Sequence, residues 1–220
     1  MNHSVYFGQY TGKYTPQSFD SGDPVRTMVA ADLNQDGIDE VIVSTTADGT
    51  ASSNIYVYNH LNYTSGWSAY GPFPVPNIVS GIAAVDLGGD PNLEIVLTSS
   101  NASALTIFGW DGKNIMPVQY PLGIPGLTLN QIIAADFDGD RKTDLAFLSN
   151  PSATPTTLIV GMNRPLRWDS FSFQVPDLVG TPDTELLSFD MNCDGRNDIV
   201  LNQFGPNPKT LIYYSNGGGM

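Results

Sequence analysis

Acidic residues recur at positions 1, 5 and 9 of four nine-residue segments, a spacing that lets a tight turn aim several carboxylates at one point. Asp32 to Glu40 reads DLNQDGIDE, and Asp86 to Glu94 reads DLGGDPNLE. Asp136 to Asp144 reads DFDGDRKTD, and Asp190 to Asp198 reads DMNCDGRND. Donors of this kind are all oxygen, which suits a hard cation, calcium above all, rather than zinc or copper.

The third loop has the fullest set. Asp136, Asp138 and Asp140 alternate, Gly139 permits the turn, Lys142 offers its carbonyl, and Asp144 closes the sphere. Loop one supplies Asp32, Asn34, Asp36, the Ile38 carbonyl and Glu40; loop four supplies Asp190, Asn192, Asp194, the Arg196 carbonyl and Asp198. Loop two retains Asp86, Asp90, the Asn92 carbonyl and Glu94, but Gly88 removes the third ligand and Pro91 stiffens the turn. Up to four calcium ions are expected, the second loop binding weakest. An EF-hand is excluded, because position 12 falls inside an apolar strand where that motif needs a bidentate Glu. The competing reading is a polar turn whose aspartates cap their own backbone amides. Recurrence of the pattern four times before matching strands favours the metal.

The elements around the loops repeat as well. The first aspartates are 54, 50 and 54 residues apart, the mark of stacked or radial units. A small-residue apolar strand enters each loop, at 27–31, 81–85, 131–135 and 185–189. A β-branched strand leaves it, at 41–43, 95–97, 145–148 and 199–201. Third strands are expected at 55–58, 105–108, 158–160 and 211–214, and fourth segments at 67–74, 116–120 and 168–175. No useful window keeps a helical period. The fold class is therefore all-β: a β-propeller of four four-stranded blade units with cation-binding hairpin loops. Its expected divisions are a half blade at 1–24, units at 25–77, 78–128 and 129–182, and a partial unit at 183–220. The opening segment matches a third and a fourth strand. Closure within one chain, closure between chains and membership of a longer chain all remain open.

Composition narrows the partners. The chain has 220 residues and a net charge of −13, and fourteen of its 22 acids lie inside the four loops. No basic stripe exists to neutralise phosphates, which excludes nucleic acid. No apolar run reaches the length of a membrane span. Cys193 is the only cysteine, so no internal disulfide forms, and a solvent-facing spacer is the expected role. The opening MNHSVYFGQY lacks the charged and apolar regions of a signal peptide. Sequons at Asn2, Asn62 and Asn101 are candidate glycosylation sites. Together with millimolar extracellular calcium they favour a secreted, extracellular protein.

The loops D-x-[DN]-x-D-G-x-x-[DE], each after a small apolar strand and before a β-branched one, resemble FG-GAP repeats of integrin α-chain and VCBS-type propellers. Phe7-Gly8 and Phe108-Gly109 echo the Phe-Gly of that name. The resemblance covers nearly the whole chain. It implies calcium held in hairpins between the first two strands of each blade as structural staples. It also implies adhesion, glycan binding or assembly rather than catalysis; familiar members carry about seven blades.

Three function classes follow. No catalytic residue is expected: His3 and His60 lie outside the repeats, and no nucleophile elbow, phosphate loop or zinc spacing occurs. A recognition module for a protein or glycan ligand is the leading expectation. Trp67 and Trp168 are expected to pack between blades, while Trp110, in a Gly-Trp-Asp-Gly turn, is the candidate surface contact. A subunit that joins copies of itself head to tail into a filament is the alternative, through complementary half blades and a flexible Gly217-Gly218-Gly219 end. An accessory propeller of a secreted enzyme is the second alternative.

Overall fold

The computed structural model describes residues 2–8, 14–20, 22–60, 67–90, 92–103, 105–120, 128–149, 156–164, 167–175, 184–205 and 208–216. The expectations on Asn62, Pro91 and the Gly217-Gly218-Gly219 end, and on the side chains of Asn2, His3 and His60, lie outside them.

Seventeen strands and no helix occur among the described residues. An N-terminal hairpin pairs β1 (Asn2–Gly8) with β2 (Tyr14–Asp20). Unit one contains β3 (Val25–Ala31), β4 (Glu40–Thr45), β5 (Ser53–His60) and β6 (Trp67–Val75). Unit two contains β7 (Val79–Val85), β8 (Glu94–Ser99), β9 (Thr106–Trp110) and β10 (Ile115–Val118). Unit three contains β11 (Leu129–Ala135), β12 (Asp144–Ser149), β13 (Thr156–Arg164) and β14 (Arg167–Val175). Unit four contains β15 (Thr184–Phe189), β16 (Asp198–Gln203) and β17 (Lys209–Tyr213). Each unit is an antiparallel meander in sequence order, four-stranded in units one to three and three-stranded in unit four. The β1–β2 hairpin is a separate two-stranded sheet and does not pair with β17.

The protein is a β-propeller of four blade units. Successive first strands β3, β7, β11 and β15 pack side by side. Together, residues 29–31, 82–84, 132–134 and 186–189 line an axial cavity of about 490 Å³. The first strands approach closely just before this stretch: at Gly81 a Cβ would lie 2.8 Å from Thr98 Oγ1 and 2.9 Å from Ile132 Cγ2. In units one to three the first strand carries a register shift at the same place, between Val25 and Thr27, Val79 and Gly81, and Leu129 and Gln131. An extra residue there bends the strand and raises its local twist.

Second strands β4, β8 and β12 are buried at all six positions. A strand covered on both faces reads as an apolar run, and EVIVST, EIVLTS and DLAFLS do so between a buried acid at the loop end and hydroxyl residues at the far end. A smaller cluster of Val41, Val43 and Tyr58 lies within unit one, and most of the core lies in three interfaces between successive blades. The second loop residue is a wedge in each: Leu33 between units one and two, Leu87 between two and three, Phe137 between three and four. Hydrogen bonds add to these interfaces at the end opposite the loops. Val79 N–H donates to Ser53 Oγ at 3.0 Å, and Ser80 Oγ donates to the Leu129 carbonyl at 3.0 Å.

Unit four breaks the pattern on its far face. Met191 takes the wedge position yet is 49% exposed, and Phe189 and Ile212 are 52% and 38% exposed. Their counterparts in unit two, Leu87, Val85 and Ile107, are 7% exposed or less.

Candidate metal centre

The first strands run in the same sense around the axis, so all four acidic loops emerge at one end of the propeller. Each loop folds by a shared set of hydrogen bonds. The position 5 carboxylate accepts the position 7 N–H in every loop: Asp36 from Ile38, Asp90 from Asn92, Asp140 from Lys142 and Asp194 from Arg196, all at 2.9 Å. The position 1 carboxylate gathers further N–H groups from the turn: Asp32 from Asp36 and Gly37, Asp86 from Gly89, Asp136 from Gly139 and Arg141, Asp190 from Asp194 and Gly195. Several converging N–H groups require left-handed backbone. Positions 4 and 6 adopt it, at Gln35 and Gly37, Gly139 and Arg141, and Cys193 and Gly195. Cys193 is exposed at such a position, with φ 60°.

Position 9 is the anchor of each loop. Glu40, Asp144 and Asp198 are 0% exposed and Glu94 is 6% exposed. In all four loops one oxygen of this acid accepts the main-chain N–H of the wedge residue. The distances are 2.9 Å from Leu33, 2.8 Å from Leu87, 2.9 Å from Phe137 and 3.0 Å from Met191. The second oxygen takes a partner that differs from loop to loop. Asn34 Nδ2 donates to Glu40 at 2.9 Å, and the Tyr120 hydroxyl donates to Glu94 at 3.1 Å. Main-chain N–H groups at or just past the end of the third strand serve the other two, Asn163 to Asp144 at 2.7 Å and Ser215 to Asp198 at 2.8 Å. Burial raises the Glu40 and Glu94 carboxyls above the usual range, outweighing the N–H donors. It pushes the Asp144 carboxyl up to about 6, again against its two donors, with Asp138 and Asp140 adding to the rise.

The third loop brings its donors closest together. Carboxylate oxygens of Asp136, Asp138 and Asp144 lie within 4.8 Å of one another. The Asp138 side chain is 1% exposed, and its Oδ2 is buried and accepts no hydrogen bond. That oxygen forms an ion pair with Arg164, the last residue of β13. An all-oxygen cluster with one buried oxygen outside the hydrogen-bond scaffold is chemically suited to a hard cation. Asp140 and the Lys142 main chain flank the same turn.

The other loops lack a charge at position 3, although Asn34 and Asn192 keep the contact by which Asp138 accepts the Asp140 N–H at 3.0 Å. Asn34 and Asn192 accept the N–H of Asp36 and Asp194 at 2.9 and 3.1 Å. In loop two the missing side chain at Gly88 leaves room for a phenol, since a Cβ there would lie 3.0 Å from Tyr120 Oη. Burial and the charge of Glu94 push the Tyr120 phenol up to about 12, so its proton stays on the oxygen and is donated to that carboxylate. Loop two is thus closed by a hydroxyl from beyond β10, which no local motif announces.

Neighbouring units also hold the loops. Asn163 Nδ2 donates to the Asp86 carbonyl of loop two at 2.9 Å, and Asn197 N–H donates to the Asp136 carbonyl of loop three at 2.9 Å. Ser215 Oγ donates to the Phe137 carbonyl.

Trp110 is half-buried. Its ring meets Tyr70 edge-on at 5.4 Å and Phe73 at 6.5 Å, joining units one and two, and it also borders a cleft with Asn34, Asp90 and Met116. Trp168 packs against the interface between units two and three, and Trp67 packs against Val41, Val43 and Tyr58. Asn101 is engaged by protein groups, its Oδ1 accepting from Ile78 N–H at 2.9 Å and its Nδ2 donating to the Ala51 carbonyl at 3.3 Å. No helix among the described residues is long and apolar enough to cross a membrane. Compared with known proteins, the chain matches no family model and no curated protein.

Proposed function

We propose that this chain is a calcium-stabilised, non-catalytic β-propeller of FG-GAP type that serves extracellular recognition of a protein or glycan. The observation that carries the reading is the third loop, where three carboxylates converge and Asp138 keeps a buried oxygen outside the hydrogen-bond scaffold. Loops one and four share the scaffold with one charge fewer, and are read as weaker sites. Loop two, closed by Tyr120, is read as the weakest. Bound calcium would tie the first two strands of a blade together while the position 9 acid anchors the loop from below. The ion's role is read as structural, because each loop joins the first two strands of a blade and is held by a buried acid at position 9.

A second reading is assembly through copies of the chain. It is favoured by the far face of unit four, where Phe189, Met191 and Ile212 remain exposed in positions that unit two buries. Large apolar side chains left exposed on one sheet face commonly mark an interface.

Light-scattering mass after size exclusion, run in millimolar calcium and again in chelator, tests both. A monomer that swells or loses stability in chelator supports the recognition reading. Large assemblies in calcium support the second. Mass, shape and stability indifferent to chelator would overturn the calcium assignment.

A further inference from the structure

We infer that Arg164 is the built-in counterion of the third loop, and that a divalent cation must displace its guanidinium from Asp138 to bind there. The inference rests on the calcium reading of that loop. Three of the four repeats lack a carboxylate at position 3, having Asn34, Gly88 and Asn192; the third has Asp138. The residues at the Arg164 offset in the other repeats are Leu61, Asp111 and Asn216, so arginine occurs only in the repeat with the extra acid. The register supports this alignment, since Ala146 pairs with Val160 as Ile42 pairs with Val57, Val96 with Ile107 and Val200 with Ile212.

Asp138 is buried on its side chain and Arg164 is only 28% exposed, so their attraction is poorly screened by solvent. A carboxylate buried without a counterion is costly. Arg164 therefore keeps the third loop formed without metal. The same contact makes the loop's buried oxygen unavailable until the guanidinium leaves. Arg196 of the next unit lies over Gly139 but faces Asp194 of its own loop at 3.9 Å, leaving Arg164 as the cation paired with Asp138.

Two opposed effects are expected from Arg164→Gln. Calcium should bind one site roughly tenfold more tightly, as removal of a competing charge-assisted contact allows. The metal-free variant should unfold at lower temperature than the metal-free parent. Arg164→Lys, which keeps the charge but not the planar fork, should fall between them in both measurements, and serves if the glutamine variant fails to fold. Calorimetric titration with calcium and thermal unfolding in chelator read the two effects. Asp140→Ala in each background assigns the site to the third loop. Unchanged affinity in both Arg164 variants, with Asp140→Ala still removing a site, would overturn the inference and leave the calcium reading intact. Absence of calcium binding in the parent, with Asp140→Ala without effect, would overturn the calcium reading and this inference with it.

Discussion

Asn163 and Asp86 lie 77 residues apart, yet the Asn163 side-chain amide donates to the Asp86 main-chain carbonyl at 2.9 Å. The same amide reaches the Thr143 carbonyl at 3.3 Å, and its main-chain N–H holds Asp144. One residue near the end of the third strand thus fixes the anchor of its own loop and the first residue of the preceding one. Asn163→Ala keeps the N–H to Asp144 and loses both side-chain bonds. It should cost about 1–3 kcal/mol, the usual consequence of leaving partly buried carbonyls unpaired. Urea unfolding measures this, and an unchanged midpoint would mean that the blades do not depend on the bridge.

Asp140→Ala should behave differently with and without metal. The Asp140 carboxylate accepts only the Lys142 N–H within the loop and is exposed, so its truncation in chelator should cost little. In calcium the variant should forfeit the linkage stabilisation of one site. That is about 2.7 kcal/mol when the ion stands at a hundred times its dissociation constant, or roughly 5–10 °C for a chain of this size. Equal losses in both conditions would sink the ligand assignment.

The blade plan was legible because its signals are local and repeated. Apolar strands before each acidic loop, rich in small residues in units one to three, and β-branched residues after it, are enough to place β3, β7, β11 and β15 on the axis and β4, β8 and β12 in the middle of each blade. The partners of the position 9 acids were not legible in the same way. Asn163 and Ser215 stand 19 and 17 residues from Asp144 and Asp198, and act chiefly through main-chain N–H groups that any residue provides. Tyr120 lies 26 residues beyond Glu94 in a segment without repeat character. Its role depends on Gly88 leaving space, a relation visible only once both are placed. Trp110 borders a cleft with Asn34 and Asp90 and also packs between units, a second contact that turn composition does not announce. Gly-Trp-Asp-Gly reads as an exposed turn, but Tyr70 and Phe73 of the preceding unit close on the ring. Arg164 did carry a sequence signal, as the one arginine at its offset beside the one aspartate at position 3.

The buried anchors give the metal-free protein an unusual response to acid. Glu40, Glu94 and Asp144 all have folded-state values above the ordinary carboxylate range, with Asp144 at about 6. A carboxyl whose folded value is raised favours the folded state when protonated. Its contribution therefore grows as pH falls through 6 towards 4, and is lost as pH rises. Metal-stripped protein should melt a few degrees higher at pH 5 than at pH 7. A bound cation holds the same groups ionised, so with calcium present the gain should vanish or reverse. Scanning calorimetry across that window decides the matter, and a melting temperature that falls steadily from pH 7 to 5 without metal would contradict the burial argument.

Cys193 offers a test of the loop backbone free of metal chemistry. Its φ of 60° is a conformation that costs an ordinary L-residue roughly 1–2 kcal/mol. Asn adopts it more readily, and does so without the extra unfolded-state freedom of glycine. The side chain is exposed, so a replacement meets no packing constraint. Cys193→Asn should raise stability by about 0.5–1 kcal/mol, and Cys193→Val should lower it by a similar or larger amount, because a β-branched side chain clashes in this region. Both are measured in chelator, so that changes in ion affinity do not enter. If the valine variant proves as stable as the asparagine one, the fourth loop does not hold the left-handed turn that its hydrogen bonds from Asp194 and Gly195 to Asp190 require.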